Sequence, residues 1–324
     1  MTGIDAIRAA AARARGIRRT PLLEAAGLDR IAGRRVLVKA ESLQTTGSFK
    51  ARGAWAAVSA LPERTAGVLA YSSGNHAQGV AWAASAHGVP SVILMPSDAP
   101  AAKVAGTRAL GGEVVLYDRA GEDRDALGAR LAAERGLTLI PPFDHPEVIA
   151  GQGTTGLELA EQAGAAGVAA AEVLVPCGGG GLSAGIALAL EAEAPALRVR
   201  TVEPAGFDDM ARSLASGRRE RNAASTGSLC DAILTPAPGA LTFPVLSRLA
   251  LPGLAVSDAE ALRAMEAAFR HLKIVLEPGG AVALAAALFR PEAVTGEAVI
   301  VLATGGNVDA AMFSHALAGP AQNG

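Results

Sequence analysis

The sequence predicts an α/β protein built on parallel sheets with helices on both faces, and three observations predict it. Short apolar runs of β type alternate with longer helical patterns from about residue 35 to the end. Hydrophobic residues make up 50% of the chain and the mean hydropathy is +0.30, so many of those helices are buried. Every unusual motif lies in a loop that leaves a strand and enters a helix, which is where ligands bind in such folds.

The strands are read in order at 36–39, 68–71, 91–95, 113–117, 137–140, 173–175, 199–203 and 298–303, each a short run of mostly branched or apolar residues. Helical stretches fall between most of them, at 51–60, 77–87, 122–134, 183–191 and 259–272, where alanine-rich sequence runs too long for a strand. Residues 173–190 carry no charge, but Pro176 and four consecutive glycines would leave backbone groups unpaired in lipid, which excludes a membrane helix. The segment 318–324 reads as a frayed tail.

Composition sets further bounds. A chain of 324 residues buries a full core and accommodates two domains. The net charge of -2 and pI near 6.2 argue against nucleic acid or an anionic membrane as partner. Cys177 and Cys230 make no disulfide framework, and the N-terminus has no charged-then-apolar signal pattern, so a cytoplasmic location is expected.

Lys50, within Gly47-Ser48-Phe49-Lys50-Ala51-Arg52-Gly53, is one of only four lysines among 29 cationic side chains. Arginine can replace lysine where charge alone is wanted. A guanidinium stays protonated, however, whereas a lysine amine can be neutralised and attack an aldehyde. Ser48 is placed as the N-cap of the 51–60 helix, with Lys50 in its first turn, where the positive end of the helix dipole favours the neutral amine. The competing reading is a solvated lysine.

Four other loops carry chemistry. Ser72-Ser73-Gly74-Asn75-His76 offers hydroxyls and backbone N–H groups at a helix start, a cradle for a carboxylate; the competing reading is a serine-capped helix with a structural His76. Pro176-Cys177-Gly178-Gly179-Gly180-Gly181-Leu182 lets the backbone close on an anion. It fits neither the dinucleotide nor the triphosphate motif, so a monophosphate suits it, with Cys177 a small packed residue. Thr304-Gly305-Gly306-Asn307 presents a neutral hydroxyl able to meet a ring nitrogen. Glu203, Asp208 and Asp209 can supply hard oxygens to Mg²⁺ or Ca²⁺, or stand as solvated carboxylates near a helix start.

Taken in order, GSFKARGA, SSGNHAQG, PCGGGGL, EPAGFDD, LEPGGA and TGGNVD resemble the fold type II, pyridoxal-phosphate-dependent serine/threonine dehydratase (threonine ammonia-lyase) and serine racemase family. The likeness runs from Arg19-Thr20-Pro21-Leu22 to Asp309. It implies a tryptophan synthase β-like architecture, two parallel-sheet α/β domains with pyridoxal 5'-phosphate between them. The large domain would comprise 1–66 and 145–324, and a small mobile domain 67–144. By the same resemblance Lys50 is the Schiff-base lysine, Phe49 flanks the cofactor and Asn75 bonds its ring oxygen. Gly178, Gly179, Gly180, Gly181 and Leu182 hold the phosphate, and Thr304 meets the pyridine nitrogen. Ser72, Ser73, Gly74, Asn75 and His76 grip the substrate carboxylate, while Glu203, Asp209 and the Phe207 carbonyl form a site for Mg²⁺ or Ca²⁺.

The activity implied is dehydration of L-threonine or L-serine to 2-oxobutanoate or pyruvate with release of ammonia. Two residues hold alternatives open. Racemase-like members carry a serine at the place of Ser73, where it exchanges a proton on the face opposite the lysine, so serine or aspartate racemisation is one alternative. Arg124 matches a position where such relatives place an arginine near the substrate, which suits the second carboxylate of threo-3-hydroxyaspartate. Cys230-Asp231-Ala232-Ile233-Leu234-Thr235-Pro236 departs from the Ala-Asp-Gly pattern expected of the racemases. An alternative of another class is a protein that binds pyridoxal phosphate or an amino acid without turnover. A homodimer or homotetramer is expected, and feedback control through a C-terminal regulatory domain is not.

Overall fold

A computed structural model describes residues 2–118 and 120–318, so residues 319–324 of the expected tail lie outside the described residues. Among the described residues ten strands form two sheets: β1 (Leu22–Glu24), β2 (Arg35–Ala40), β3 (Val68–Tyr71), β4 (Ser91–Pro96), β5 (Glu113–Tyr117), β6 (Thr138–Leu139), β7 (Ala171–Pro176), β8 (Leu197–Pro204), β9 (Leu251–Val256) and β10 (Ala298–Ala303). The six-stranded sheet runs β1-β2-β10-β7-β8-β9 and the four-stranded one β5-β4-β3-β6. All strand pairs are parallel except β1 with β2.

Two strands carry no signal in the sequence. β1 is a three-residue antiparallel edge, too short to show alternation. β9 contains Pro252 and Gly253, which disfavour a strand; it forms because it is an edge beside β8, where a missing N–H breaks no inner ladder. The uncharged stretch 173–190 becomes buried β7, a glycine turn and the buried helix Gly181–Glu193. Among the described residues no helix is long and apolar enough to cross a membrane.

The helix Lys50–Ser59 is fixed before any ligand is considered. It packs on the helix Pro146–Ala165 through bare backbone, since a Cβ on Gly151 would stand 2.5 Å from the Arg52 carbonyl oxygen. Below it lies a buried ion cluster. Arg52 makes a two-pronged pair with Glu41 at 2.8 Å on each arm and donates to both oxygens of Glu158 at 2.8 Å and 2.9 Å, while Lys39 donates to Glu158 Oε2 as well, at 2.5 Å. Such a cluster costs desolvation to form, but removing one member strands a buried charge, at about 3–5 kcal/mol. It therefore clamps the helix to β2 and to Pro146–Ala165.

All four strands of the smaller sheet lie between residues 68 and 139. The apolar cluster beneath it includes Val68, Ala77, Val80 and Ile93, but also Ala54, Ala57 and Val58 from the helix Lys50–Ser59 and Val148 from the next long helix. The two sheets thus share the helix that carries Lys50.

Candidate active site

A cavity of about 290 Å³ opens where the chain leaves β3, β6, β7 and β10. It is lined by Lys50, by the Ser72–His76 loop, by Gly178–Ser183 and by Thr304, so four of the five predicted loops meet there. The fifth, around Glu203, lies outside it.

Lys50 is the first residue of its helix, and the loop before it is tied to the loop after β10. Phe49 N donates to Thr304 O at 3.0 Å and Gly306 N to Gly47 O at 2.9 Å. Ser48 does not cap the helix as expected. Phe49 occupies the N-cap position without a side-chain bond, and the Ser48 hydroxyl is buried without a partner, because Ser48 is extended and paired with Gly305. Lys50 Nζ donates to Pro142 O at 2.7 Å. Loss of solvation pushes its amine down to about 8, against the opposing charge of Glu277. Burial is thus a neutralising cause at this amine.

The Ser72–His76 loop opens the helix Asn75–Ala86. Gly74 is the N-cap and makes no side-chain bond, so this is no serine-capped helix; Ser72 Oγ instead accepts from Gly74 N at 3.1 Å. Ser73 lines the cavity. His76 is buried, and its Nε2 donates to Ile140 O at 2.8 Å. Burial, then the charge of Lys50, pushes the ring down to about 3, so the imidazole is neutral. Asn75 Nδ2 donates to Glu277 Oε1 at 2.6 Å, and its Oδ1 accepts from Asn307 Nδ2 at 2.7 Å.

The glycine turn is shaped against its surroundings. Gly180 has φ +91°, open to glycine but costly for other residues. Cβ atoms on Gly179 and Gly181 would run into Phe143. The Gly179 carbonyl accepts from Thr242 Oγ1 at 2.5 Å and Gly239 N at 3.1 Å, which pins the turn. The first N–H groups of the helix Gly181–Glu193 have no intrahelical acceptor. The Thr235 hydroxyl, next to Gly178 in the cavity lining, is buried without a partner among the described residues. A small dianion answers both features. With a desolvated amine, a phosphate-sized cradle and an amide donor in one cavity, the residues present fit pyridoxal 5'-phosphate.

Arg124 is not in the cavity lining. Its side chain is 48% exposed, pairs with Asp125 at 3.0 Å and lies over the ring of Tyr71, which does line the cavity, at 5.3 Å. Cys177 is buried beside the turn and its thiol is pushed up by burial, as suits a packed residue. At the expected cation site, Glu203 accepts from Met210 N at 2.9 Å and Ala211 N at 2.8 Å, and Asp209 Oδ1 accepts from Asn222 at 2.6 Å. Asp209 Oδ2 is buried without a partner, and Phe207 is buried nearby in the chain. Burial and Asp209 push Glu203 up, and burial pushes Asp209 up to about 6. Among the described residues no group of three or more His, Cys, Asp or Glu is placed to hold a metal.

Sequence reasoning gave no role to Glu277, Asn307, Pro142, Phe143, Lys103 or Asp231, all of which line the cavity. For Glu277 a signal existed, a lone carboxylate ahead of a helix as apolar as Pro278–Phe289. Pro142 and Phe143 contribute a carbonyl and a ring edge, which leave no motif.

The chain matches the family model described as pyridoxal-phosphate dependent enzyme over residues 13–305. It is 44% identical over 275 residues to an L-threo-3-hydroxyaspartate ammonia-lyase of Pseudomonas sp, covering 84% of this chain and 85% of that one. It is 40% identical to a serine racemase of Schizosaccharomyces pombe over 80% of this chain and 79% of the relative. The crystal structure of threonine deaminase from T.th. superposes with a TM-score of 0.89 at 46% identity, over 95% of this chain and 99% of the other.

Proposed function

The chain belongs to the pyridoxal-phosphate dependent enzyme family, and from that premise we propose that it is an ammonia-lyase that removes the amino group and β-hydroxyl of L-threonine and L-serine, giving 2-oxobutanoate and pyruvate. The observation that carries the reading is the placing of the Lys50 amine in one cavity with both the Gly178–Gly181 turn and the Ser72–Asn75 helix start.

Bound pyridoxal phosphate supplies an aldehyde for amines and a ring that draws electrons from Cα. Gly178, Gly179, Gly180, Gly181 and Leu182 would hold its phosphate, Phe49 and Asn75 its ring, and Thr304 its nitrogen. The backbone N–H groups at Ser73 and Asn75, with the Ser72 hydroxyl and Gly74 beside them, bind the substrate carboxylate, and neutral His76 holds this loop to Ile140. Lys50 Nζ removes the Cα proton. An amine brought to about 8 is partly neutral near pH 7.5 and can both take and return a proton. Thr304 carries no charge to hold a proton on the ring nitrogen, which favours early loss of the β-hydroxyl. Ser73 can return a proton from another wall of the cavity, which supports a racemase side activity.

A second reading is favoured by one observation. Lys103 shares the cavity lining with Lys50, and its Nζ is 3.5 Å from Asp231, a loose pair that a substrate carboxylate can displace. With Arg124 over Tyr71, this supports L-threo-3-hydroxyaspartate as substrate, as for the Pseudomonas relative. We further propose Mg²⁺ or Ca²⁺ on Glu203, Asp209 and the Phe207 carbonyl, where Asp209 Oδ2, unpartnered among the described residues, would serve as a ligand to the ion.

Enzyme loaded with pyridoxal phosphate, assayed on L-threonine, L-serine and L-threo-3-hydroxyaspartate for 2-oxo acid and for enantiomer, tests the reading. Release of 2-oxo acid from threonine and serine supports the first substrate class, and release confined to 3-hydroxyaspartate replaces it with the second. Enantiomer exchange without 2-oxo acid makes the protein a racemase. No turnover on any of the three removes the lyase reading.

A further inference from the structure

Glu277 is a buried carboxylate in the cavity wall to which the proposed chemistry gives no task. Its place is tightly set. Glu277 N donates to Gly305 O at 3.0 Å, and a Cβ on Gly305 would overlap Glu277 Oε1, so the carboxylate lies against the backbone of Gly305, next to Thr304 in the chain.

A chain of hydrogen bonds runs from there through two amides, and its ends fix its direction. Asn307 Nδ2 donates to Thr46 O at 2.8 Å, and a backbone carbonyl can only accept, so the nitrogen of Asn307 must face that way. Thr46 sits at φ +69°, which turns its carbonyl to this donor. The second N–H of Asn307 goes to Asn75 Oδ1 at 2.7 Å. Asn75 therefore points its oxygen at Asn307 and its nitrogen at Glu277, where Oε1 accepts at 2.6 Å. Burial pushes the Glu277 carboxyl up to about 7, but a proton taken up there can sit on Oε2, and Oε1 still accepts. The oxygen of Asn75 and one of its two N–H groups are used, and one N–H remains.

We propose that Glu277 and Asn307 are positioning residues that make Asn75 a one-way donor, offering the cavity a single amide N–H that selects a ligand carrying an acceptor oxygen on its ring. This rests on the proposed function, in which that oxygen is the ring oxygen of pyridoxal phosphate. The same chain ties the helix Asn75–Ala86 beside the smaller sheet to the loops beside the larger one, so the donor is set by both.

Wild type, Glu277→Ala, Glu277→Gln and Asn307→Asp are titrated with pyridoxal phosphate and with its analogue lacking the ring hydroxyl, reading the dissociation constant and the absorption band of the complex. Loss of one such hydrogen bond weakens binding about tenfold. Glu277→Ala and Asn307→Asp should weaken pyridoxal phosphate by about that factor and shift its band, yet bind the analogue as wild type does. That unchanged analogue binding also shows that the variants fold. Glu277→Gln keeps an acceptor and should stay within about threefold of wild type. Equal weakening for both ligands, or no weakening for either, overturns the positioning role. Failure of wild type to bind pyridoxal phosphate at all would instead overturn the proposed function.

Discussion

Lys50 Nζ donates to the Pro142 carbonyl at 2.7 Å, across 92 positions of sequence. Lys50 follows β2 of the larger sheet and Pro142 follows β6 of the smaller, so this bond joins the two sheets across the cavity and aims the amine. Among the described residues this carbonyl is the only hydrogen-bond partner of the amine, which is held in place with no carboxylate bonded to it to keep it protonated. Lys50→Arg should therefore lose the activity. An arginine keeps the charge and can reach a carbonyl, but it cannot give up its proton. Release of 2-oxo acid is expected to fall by at least about a thousandfold, within the range for removal of a general base. Activity within tenfold of wild type would show that another group takes the Cα proton.

Much of this was legible in the chain, and the reasons differ by element. The lysine, the glycine turn and the Ser72–His76 loop announce themselves because special backbone or special chemistry needs special residues: glycine at the φ of Gly180, an amine where arginine was available. Their meeting in one cavity follows from parallel topology, which gathers the ends of successive strands on one edge. What stayed hidden is what any residue can supply. The Pro142 carbonyl is backbone, and β9 is held by its neighbour β8 against its own Pro252 and Gly253. Ser48 misled because a serine before a helix usually caps it; here the pairing with Gly305 holds the residue extended and turns its hydroxyl into the interior.

The cation proposal makes a prediction independent of catalysis. Asp209 Oδ2 is buried with no donor, and Glu203 and Asp209 repel each other. A divalent ion that binds only the folded chain stabilises it by mass action, about 2.7 kcal/mol at a hundredfold excess over its dissociation constant. Mg²⁺ or Ca²⁺ added to chelator-treated protein should raise the melting temperature by several degrees, and Asp209→Asn should abolish the rise. Melting curves unchanged by either ion would remove the site.

His76 gives the pH dependence of stability its sign. In the fold its ring is buried, donates to Ile140 O and has its titration pushed down to about 3, while in the unfolded chain it titrates near 6.5. The unfolded state thus binds one more proton than the fold throughout that interval. The contribution of the neutral ring is fully present above about pH 6.5 and shrinks as pH falls towards 3, by about 1.4 kcal/mol per pH unit. Glu158, held low by Arg52 and Lys39, and Glu172, held low by the Thr295 hydroxyl and Arg200, act in the same direction only below the ordinary carboxylate range. Between pH 5 and 6.5 His145, also pushed down by burial, adds to the slope while Asp209, Glu203 and Glu277, pushed up by burial, oppose it, so the difference between wild type and a His76 variant across that interval isolates the ring. His76→Gln keeps an N–H for Ile140 O but cannot titrate. Denaturant unfolding across that interval should show a slope shallower by about one proton in the variant, and equal slopes would mean that the His76 ring gains its proton within the fold.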